Sequence, residues 1–482
     1  MKKIPSPPGV FDIIPLDEQE TWRSSYLWQH IESVIRDVAD NYGYREIRTP
    51  IFERAELFQR GVGETSDIVS KEMYLFEDKG KRLMSLRPEG TAPVMRAFTE
   101  NSLQNQGQIH KLFYIGPMFR YDRPQAGRYR QHHQFGIEAI GNRTPEQDAE
   151  IIDFLHTVYS RLGLKNLKFM LNCLGTNQCR ITYREKLQDY LRPHFEKLSE
   201  DSQKRFDLNP LRILDSKDPS DREIIKEAPS ILDFIDDASR EYFQAVRANL
   251  DALNIPYEVD PNLVRGLDYY NMTVFEIVAG ELGAQNSIGG GGRYDGLLPT
   301  LGGPDLPAMG FGAGIERTLQ TMIKQKVELP APPSPLVYFI PLGDIAKAEV
   351  FKWTHELRLA GISVHMDFTG KKLGKLMQHA DQMGAKFTAV VGDEELASEE
   401  IELKEMSTGE TIKIPVKGLK KVLTIEEKMN EYKEVVLSIE EPFESASEKE
   451  FYFKRLKREV EKTQEATDSL YAKIQEMKKL VE

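Results

Sequence analysis

A proline-rich segment divides this chain into two parts. Four prolines lie within Leu329–Pro335, and a run of this composition favours a stiff, extended backbone. The 482 residues are enough for two or three domains, each with a core of its own. We therefore expect a first domain over 1–328, a linker at 329–335, a second domain over 336–426 and an acidic helical extension at 427–482.

The first domain mixes helical and strand patterns. Two strand candidates, Leu112–Ile115 and Gln134–Ile140, flank a polar loop at 121–131, and this arrangement predicts a long antiparallel hairpin. Apolar residues recur at helical intervals over 17–41, and a short strand candidate at 45–50 ends in a proline.

A charged stretch without glycine, at about 179–253, is typical of an inserted helical module. Strand, glycine and helix patterns return over 264–278 and 308–323. The chain is therefore expected to leave the first domain and come back to it.

The second domain has a regular alternation. Strand candidates at 337–342, 363–366 and 387–391 alternate with helical stretches at 346–360 and 372–383. This order predicts a small α/β domain with a mainly parallel sheet.

The extension carries a different pattern. Apolar residues from Phe453 to Val481 recur at alternating intervals of three and four, which is a heptad repeat. Threonines weaken the middle of its seam. Two interpretations stay open: an amphipathic helix packed on its own protein, or a coiled coil.

Composition excludes several classes of protein. No apolar run approaches the roughly 20 residues of a membrane helix, and prolines precede any apolar stretch that could act as a secretion signal. Cys173 and Cys179 match no common zinc or redox spacing, and two cysteines fit a reducing compartment. The net charge of −12 argues against nonspecific coating of nucleic acid, although a local basic face is compatible with it. We expect a cytoplasmic protein with no membrane partner and no zinc.

The usual phosphate-binding loop is missing from the sequence. The glycine run Gly289–Gly292 is followed by Arg293 and Tyr294, not by Lys-Ser or Lys-Thr. His132 and His133 are adjacent, so in a strand they point to opposite faces, which is poor geometry for a shared metal. No metal is assigned to the protein.

Three arginines lie instead beside strands or glycine turns: Arg120, Arg265 and Arg317. A guanidinium group binds phosphate oxygens through paired hydrogen bonds, and a neighbouring glycine permits close approach. Together these arginines indicate a triphosphate site of a different kind.

The segments around these arginines resemble the motifs of class II aminoacyl-tRNA synthetases. Phe119–Gln125 with Phe135–Glu138 resembles motif 2, Gly310–Arg317 resembles motif 3, and residues 44–50 resemble motif 1.

Two further segments narrow the class to one family. Leu263–Tyr270 and Gly291–Leu297 resemble the histidine-specific motifs of histidyl-tRNA synthetases, and Arg87–Thr91 is a third match. The resemblance extends from about Gly9 to Lys421.

This resemblance implies a class II catalytic domain on an antiparallel sheet, an anticodon-binding α/β domain and a homodimer. It implies a ligase that activates L-histidine with ATP and transfers it to tRNA(His), with Mg²⁺ on the departing pyrophosphate. In the second domain Lys371, Lys372 and Lys375 would suit RNA phosphates, although lysines on a helix face are commonly only solvated.

The resemblance also assigns a histidine site. The residues implied are Glu89, Thr91, Gln134, Glu138, Arg265, Tyr269 and Tyr270. Glu89 and Thr91 would hold the α-amino group, since a carboxylate suits an ammonium. Glu138 and Tyr270 would reach the two imidazole nitrogens, and so reject substrates that lack them.

Other residues are implied in binding ATP and tRNA. Arg120 and Arg317 would bind the α- and γ-phosphates, with Gly312 beneath the adenine. Arg265 would stabilise the charge that develops on the α-phosphate in the transition state. The residues implied at the tRNA acceptor end are Arg123, Gln125 and Arg128.

Two alternatives are weighed against the ligase. Inactive relatives of the family regulate histidine biosynthesis or sense uncharged tRNA, but the arginine motif at Leu263–Tyr270 and the anticodon domain favour the enzyme. Another class II synthetase, such as one for threonine or proline, conflicts with the histidine motifs.

Truncation at about residue 426 is predicted to leave amino-acid activation intact, because the resemblance ends before the extension. Histidine-dependent exchange of pyrophosphate into ATP, measured on full-length and truncated protein, checks this. A folded truncated protein without exchange activity would contradict the prediction.

Overall fold

The computed structural model describes residues 4–63, 66–122, 127–280 and 287–427. The chain divides into two compact units between Pro332 and Pro333, inside the proline-rich segment. The heptad pattern of Phe453–Val481 lies outside the described residues. Within the described part of the chain, no helix combines the length and apolar character needed to cross a membrane.

The first unit contains eleven strands and ten α-helices among the described residues. The strands are β1 (Arg45–Glu46), β2 (Phe52–Arg54), β3 (Leu75–Glu77), β4 (Leu83–Leu86), β5 (His110–Phe119), β6 (Gln131–Ile140), β7 (Leu167–Cys173), β8 (Tyr257–Val259), β9 (Asn271–Ala279), β10 (Ser287–Arg293) and β11 (Ala308–Gly314). The helices are α1 (Ser25–Asn41), α2 (Ala55–Val62), α3 (Thr91–Glu100), α4 (Pro145–Arg161), α5 (Asn177–Leu191), α6 (Glu200–Leu208), α7 (Pro219–Ile225), α8 (Asp237–Ala252), α9 (Leu297–Thr300) and α10 (Ile315–Lys324).

An eight-stranded sheet forms the centre of this unit, in the order β1-β5-β6-β11-β10-β9-β7-β8. All neighbours from β5 to β7 are antiparallel, and only the edge strands β1 and β8 join in parallel. The expected α+β unit on an antiparallel sheet is therefore confirmed. The predicted hairpin is β5-β6, in which His110 lies opposite Ile140 and Phe119 opposite Gln131.

Element ends differ from the sequence patterns at the N-terminal side. The helix expected from residue 17 begins only at Ser25, after a single 3-10 turn at Thr21–Arg23. The strand expected over 45–50 is reduced to Arg45–Glu46, since only these two residues pair with β5.

The two faces of the sheet have opposite character. Phe135, Ile137, Phe275, Ile277 and Phe311 belong to one buried core, together with apolar residues of α1, α4, α8 and α10. Because side chains alternate along a strand, their neighbours in β6, β9, β10 and β11 point to the other face. Around the candidate site that face carries polar side chains and glycine, while Val274 of β9 on the same face packs in a second apolar cluster.

The helices between β7 and β8 are divided between two different hydrophobic cores. Apolar residues of α5, α6 and α7 pack in a second cluster with Leu263, Val264 and Tyr270. In contrast, Phe243, Val246 and Leu250 of α8 belong to the core beneath the sheet. The helices of the expected module at 179–253 thus divide between two cores, and a helical pattern in the sequence does not show which core a helix packs in.

The second unit is an α/β domain. Its elements are β12 (Val337–Pro341), α11 (Asp344–Leu359), β13 (Val364–Met366), α12 (Leu373–Gln382), β14 (Phe387–Val391), α13 (Asp393–Ser398), β15 (Glu400–Glu405) and β16 (Thr411–Pro415), followed by helical residues 419–427. In the sheet order β13-β12-β14-β15-β16, the first three strands are parallel, and β15 and β16 add antiparallel pairs. The sheet is therefore mixed, which corrects the expectation of a mainly parallel one.

A buried ion pair ties the sheet to α4. The Arg293 side chain, at the end of β10, is fully buried, and its Nε donates to Asp148 Oδ1 at 3.1 Å. Its Nη1 donates to Asp295 Oδ1 at 3.0 Å and to the Asn142 carbonyl at 3.2 Å. Burial raises the pKa of the Asp148 carboxyl, and the Arg293 guanidinium opposes this shift.

Arg293→Met is predicted to lower the free energy of unfolding by about 3–5 kcal/mol, because it leaves Asp148 buried without its cation. Adding Asp148→Asn should restore part of the loss. Arg45→Met, which breaks an exposed ion pair with Asp40, is the control and should cost less than about 1 kcal/mol. Urea unfolding followed by near-UV circular dichroism measures all three. A double variant no more stable than Arg293→Met would refute the role of the uncompensated charge.

Candidate active site

A cavity of about 280 Å³ opens on the polar face of the eight-stranded sheet. Its size lies near the lower end of small-molecule pockets, at about 300 Å³. The sequence-predicted residues that line it are Glu89, Thr91, Arg120, Arg128, Gln134, Arg265, Tyr269, Tyr270, Gly312 and Arg317. Arg123 and Gln125 lie outside the described residues.

A buried carboxylate lies at the start of α3. Glu89 accepts hydrogen bonds from the backbone N–H of Thr91 at 2.7 Å and of Ala92 at 2.9 Å. Burial raises the pKa of Glu89, and these two N–H donors oppose the shift. The first turn of α3 therefore holds a carboxylate at the cavity wall, where it can receive a cationic amine.

Glu138 is placed differently from the sequence expectation, because it does not line the cavity. Its carboxyl group is fully buried, with Oε1 accepting from the Thr91 hydroxyl at 2.7 Å and Oε2 accepting from the Tyr294 hydroxyl. Burial raises the pKa of Glu138 to about 8. Since both oxygens already have donors, the side chain supports Thr91 from behind the cavity wall.

Gln134 lies across Gly312. A Cβ atom at position 312 would be 1.5 Å from Gln134 Nε2, so a larger residue there would displace the Gln134 amide. The same amide nitrogen is 3.5 Å from the Tyr114 hydroxyl. The space directly over Gly312, which was expected to receive adenine, therefore holds the Gln134 amide.

Arg265 is held from two sides. Its Nη1 is 3.0 Å from Glu276 Oε1 on β9, and a Cβ at position 290 would lie 2.7 Å from that same nitrogen. Burial alone would lower the pKa of Arg265, but the Glu276 carboxylate, with smaller contributions from Tyr270 and Asp215, raises it. The site thus contains a fixed, permanently charged guanidinium.

More arginines line the same cavity. Arg120 Nε donates to the Pro88 carbonyl at 2.8 Å, and Arg317 donates to the carbonyls of Gly127 at 2.9 Å and Ser287 at 2.6 Å. Arg128 pairs with Asp122 at 3.0 Å. Burial lowers the pKa of Arg317, and the nearby positive charges lower it further. Cations gathered in this way can bind a polyanion such as a triphosphate.

Sequence reasoning assigned no role to several residues of the site. Glu276 was detectable, because it is the only charged residue of β9. Tyr294 lies in a recognised motif, but its bond to Glu138 is a tertiary contact. Tyr114, whose ring lies beside Gly136 and Gly90, gave no signal.

The two adjacent histidines of β6 do point to opposite faces. His132 lines the cavity, and burial together with Arg120 and Arg317 lowers its pKa well below the usual value, so the imidazole is neutral. His133 is turned away, with Nδ1 3.0 Å from Glu316 Oε1.

Comparisons with known proteins agree with this geometry. The histidyl-tRNA synthetase family model matches residues 23–318, and the anticodon binding domain model matches residues 336–426. A histidine–tRNA ligase of Protochlamydia amoebophila is 63% identical over 417 residues, 86% of this chain and 98% of that protein. One from a Geobacillus species is 49% identical over 413 residues, 85% of this chain and 96% of that protein.

A solved structure supports the same assignment. Apo histidyl-tRNA synthetase of S. aureus is 38% identical and superposes with a TM-score of 0.74, covering 87% of this chain and 100% of that one. The chain therefore belongs to the histidyl-tRNA synthetase family.

Proposed function

We propose that this chain is a histidine–tRNA ligase, which activates L-histidine with ATP and then esterifies the 3′ end of tRNA(His). The observation that carries this proposal is the cavity on the polar face of the sheet. It brings the Glu89–Thr91 pair and the Tyr270 hydroxyl together with the guanidinium groups of Arg120, Arg265 and Arg317. An amino acid with a basic ring and a triphosphate would both find complementary groups there.

Histidine would be recognised at both of its ends. Glu89 and Thr91 bind the α-ammonium group, and Gln134 lies beside them in the cavity lining. Burial keeps Tyr270 protonated by raising its pKa to about 12, so its hydroxyl can donate to a ring nitrogen. Tyr269 packs against it at 4.6 Å between ring centroids. Glu138 would contact the second nitrogen through a lone pair that the hydroxyls of Thr91 and Tyr294 leave available on its carboxyl oxygens.

Activation is an in-line displacement at phosphorus. A carboxylate oxygen of histidine forms a bond to the α-phosphorus, the bond from that phosphorus to the bridging oxygen breaks, and pyrophosphate leaves. Negative charge grows on the non-bridging oxygens, where the pre-positioned Arg265 stabilises it. Arg120 and Arg317 bind the α- and γ-phosphates. The guanidinium groups of the site therefore need not move as charge develops on the substrate.

The remaining partners are proposed on family grounds. Mg²⁺ enters with ATP as part of the substrate. Among the residues that the structure describes, no cluster of His, Cys, Asp or Glu could hold a metal ion, and no protein ligand is assigned to Mg²⁺. Arg123, Gln125 and Arg128 meet the tRNA acceptor end. The domain at 336–426 binds the anticodon, and two cytoplasmic chains form a homodimer.

Pyrophosphate exchange into ATP tests the proposal when run with each of the twenty amino acids separately. Exchange is expected with histidine alone, because only its ring offers two nitrogens to the buried polar groups. A folded protein without exchange on any amino acid would refute the enzyme and leave a regulatory or tRNA-sensing protein instead.

Arg265→Ala is predicted to lower kcat of activation by about 10²–10³-fold, the cost of removing one transition-state donor. The KM for ATP should change by no more than about threefold, since this interaction strengthens only in the transition state. Arg265→Lys should recover little, because a point charge lacks the planar fork of a guanidinium. Lys168→Met, at an exposed residue paired with Glu258, is the surface control, and near-normal turnover of Arg265→Ala would remove Arg265 from this role.

A further inference from the structure

The helical insertion reaches the loop that carries Arg265. Arg212, in a 3-10 turn at Pro210–Ile213, donates from Nη1 to the Arg265 carbonyl at 3.2 Å and from Nη2 to the Gly266 carbonyl at 3.1 Å. The neighbouring Asn209 donates from Nδ2 to Asp268 Oδ1 at 2.8 Å. Two side chains of one short segment therefore bind three residues of the loop, Arg265, Gly266 and Asp268.

A second arginine of the insertion binds the far end of the same loop. Arg180 of α5 donates to the Tyr270 carbonyl at 2.9 Å and to the Asp268 carbonyl at 3.3 Å. Residues 261–270 form no helix or strand, so their backbone carbonyls need partners from elsewhere. Guanidinium groups supply them here, with the added strength of a charged donor.

The segment that carries Arg212 is itself firmly anchored. Just beyond it, the buried Asp221 carboxylate accepts from the hydroxyls of Ser199 at 2.7 Å and Ser202 at 2.6 Å, and also from the Ser216 hydroxyl. Ile213 beside Arg212 is fully buried in the cluster that contains Leu263 and Val264. The position of Arg212 is therefore fixed by the core of the insertion.

We propose that Arg212 is a positioning residue for Arg265, so that the helical insertion is part of the activation machinery. The inference rests on the proposed function, in which Arg265 stabilises the α-phosphate in the transition state. Glu276 holds the Arg265 guanidinium from the sheet, and Arg212 holds its backbone from the insertion. A displacement of about 1 Å at such a group can cost about 10²-fold in rate.

The first test separates kcat from KM in histidine-dependent exchange. Arg212→Ala is expected to lower kcat by about 10- to 100-fold, with KM for ATP within about threefold of wild type. Arg212→Lys, which can still donate to a carbonyl, should recover part of kcat. Arg222→Ala, an exposed arginine of α7 in the same insertion, is the matched control and should leave kcat unchanged. Wild-type kcat in Arg212→Ala overturns the proposal.

A double-mutant cycle distinguishes positioning from general loss of structure. Single-turnover adenylate formation is measured for Arg212→Ala, Arg265→Ala and the pair. If Arg212 acts through Arg265, the second substitution lowers the rate of adenylate formation little beyond the first. A double variant whose rate loss equals the product of the two single losses overturns the proposal. If Arg212→Ala does not fold, Arg212→Lys takes its place in the cycle under the same criterion. Absence of exchange in the wild type would refute the proposed function itself, which is a different outcome.

Discussion

The candidate site depends on the absence of side chains at a few positions in the middle of the sheet. Gly290 on β10 and Gly312 on β11 are paired across the two strands, and Gly312 is in turn paired with Gly136 on β6. Arg265 lies over the first and Gln134 over the second, at distances that a Cβ atom would not permit. The polar groups are thus laid flat on the sheet, and the cavity above them stays open for substrates.

This arrangement requires charged groups in buried positions, and burial makes each charge costly. The charges of Arg265 and Glu89 are therefore compensated at short range. Glu276 faces Arg265 at 3.0 Å, and two backbone N–H groups face Glu89. Charges fixed in this way cost free energy on folding, but they need little reorganisation when charge develops in a transition state. The site is therefore pre-organised at a cost in the free energy of folding.

Sequence reasoning reached the parts of this site that depend on local pattern. The arginines beside glycine turns and the strand pair β5-β6 follow from spacing and turn residues, and Arg120, Arg265 and Arg317 do line one cavity. Contacts between segments far apart in the sequence could not be predicted from local pattern. Alternation in β6 puts Glu138 on the polar face, but only the fold brings Thr91 and Tyr294 over its oxygens. In the same way, Arg293 belongs to a recognised motif, yet it is buried against Asp148.

The helical insertion shows why such contacts matter for function. Its glycine-free, charged sequence indicates a separate module, and no pattern within that sequence indicates that it contacts the site. Yet an irregular loop has carbonyls that neither a helix nor a strand satisfies, and in this fold Arg180 and Arg212 provide the donors. The sheet fixes the guanidinium of Arg265 through Glu276, while the insertion fixes its backbone. Two parts of the chain with separate cores must therefore be correctly folded before one arginine is in place.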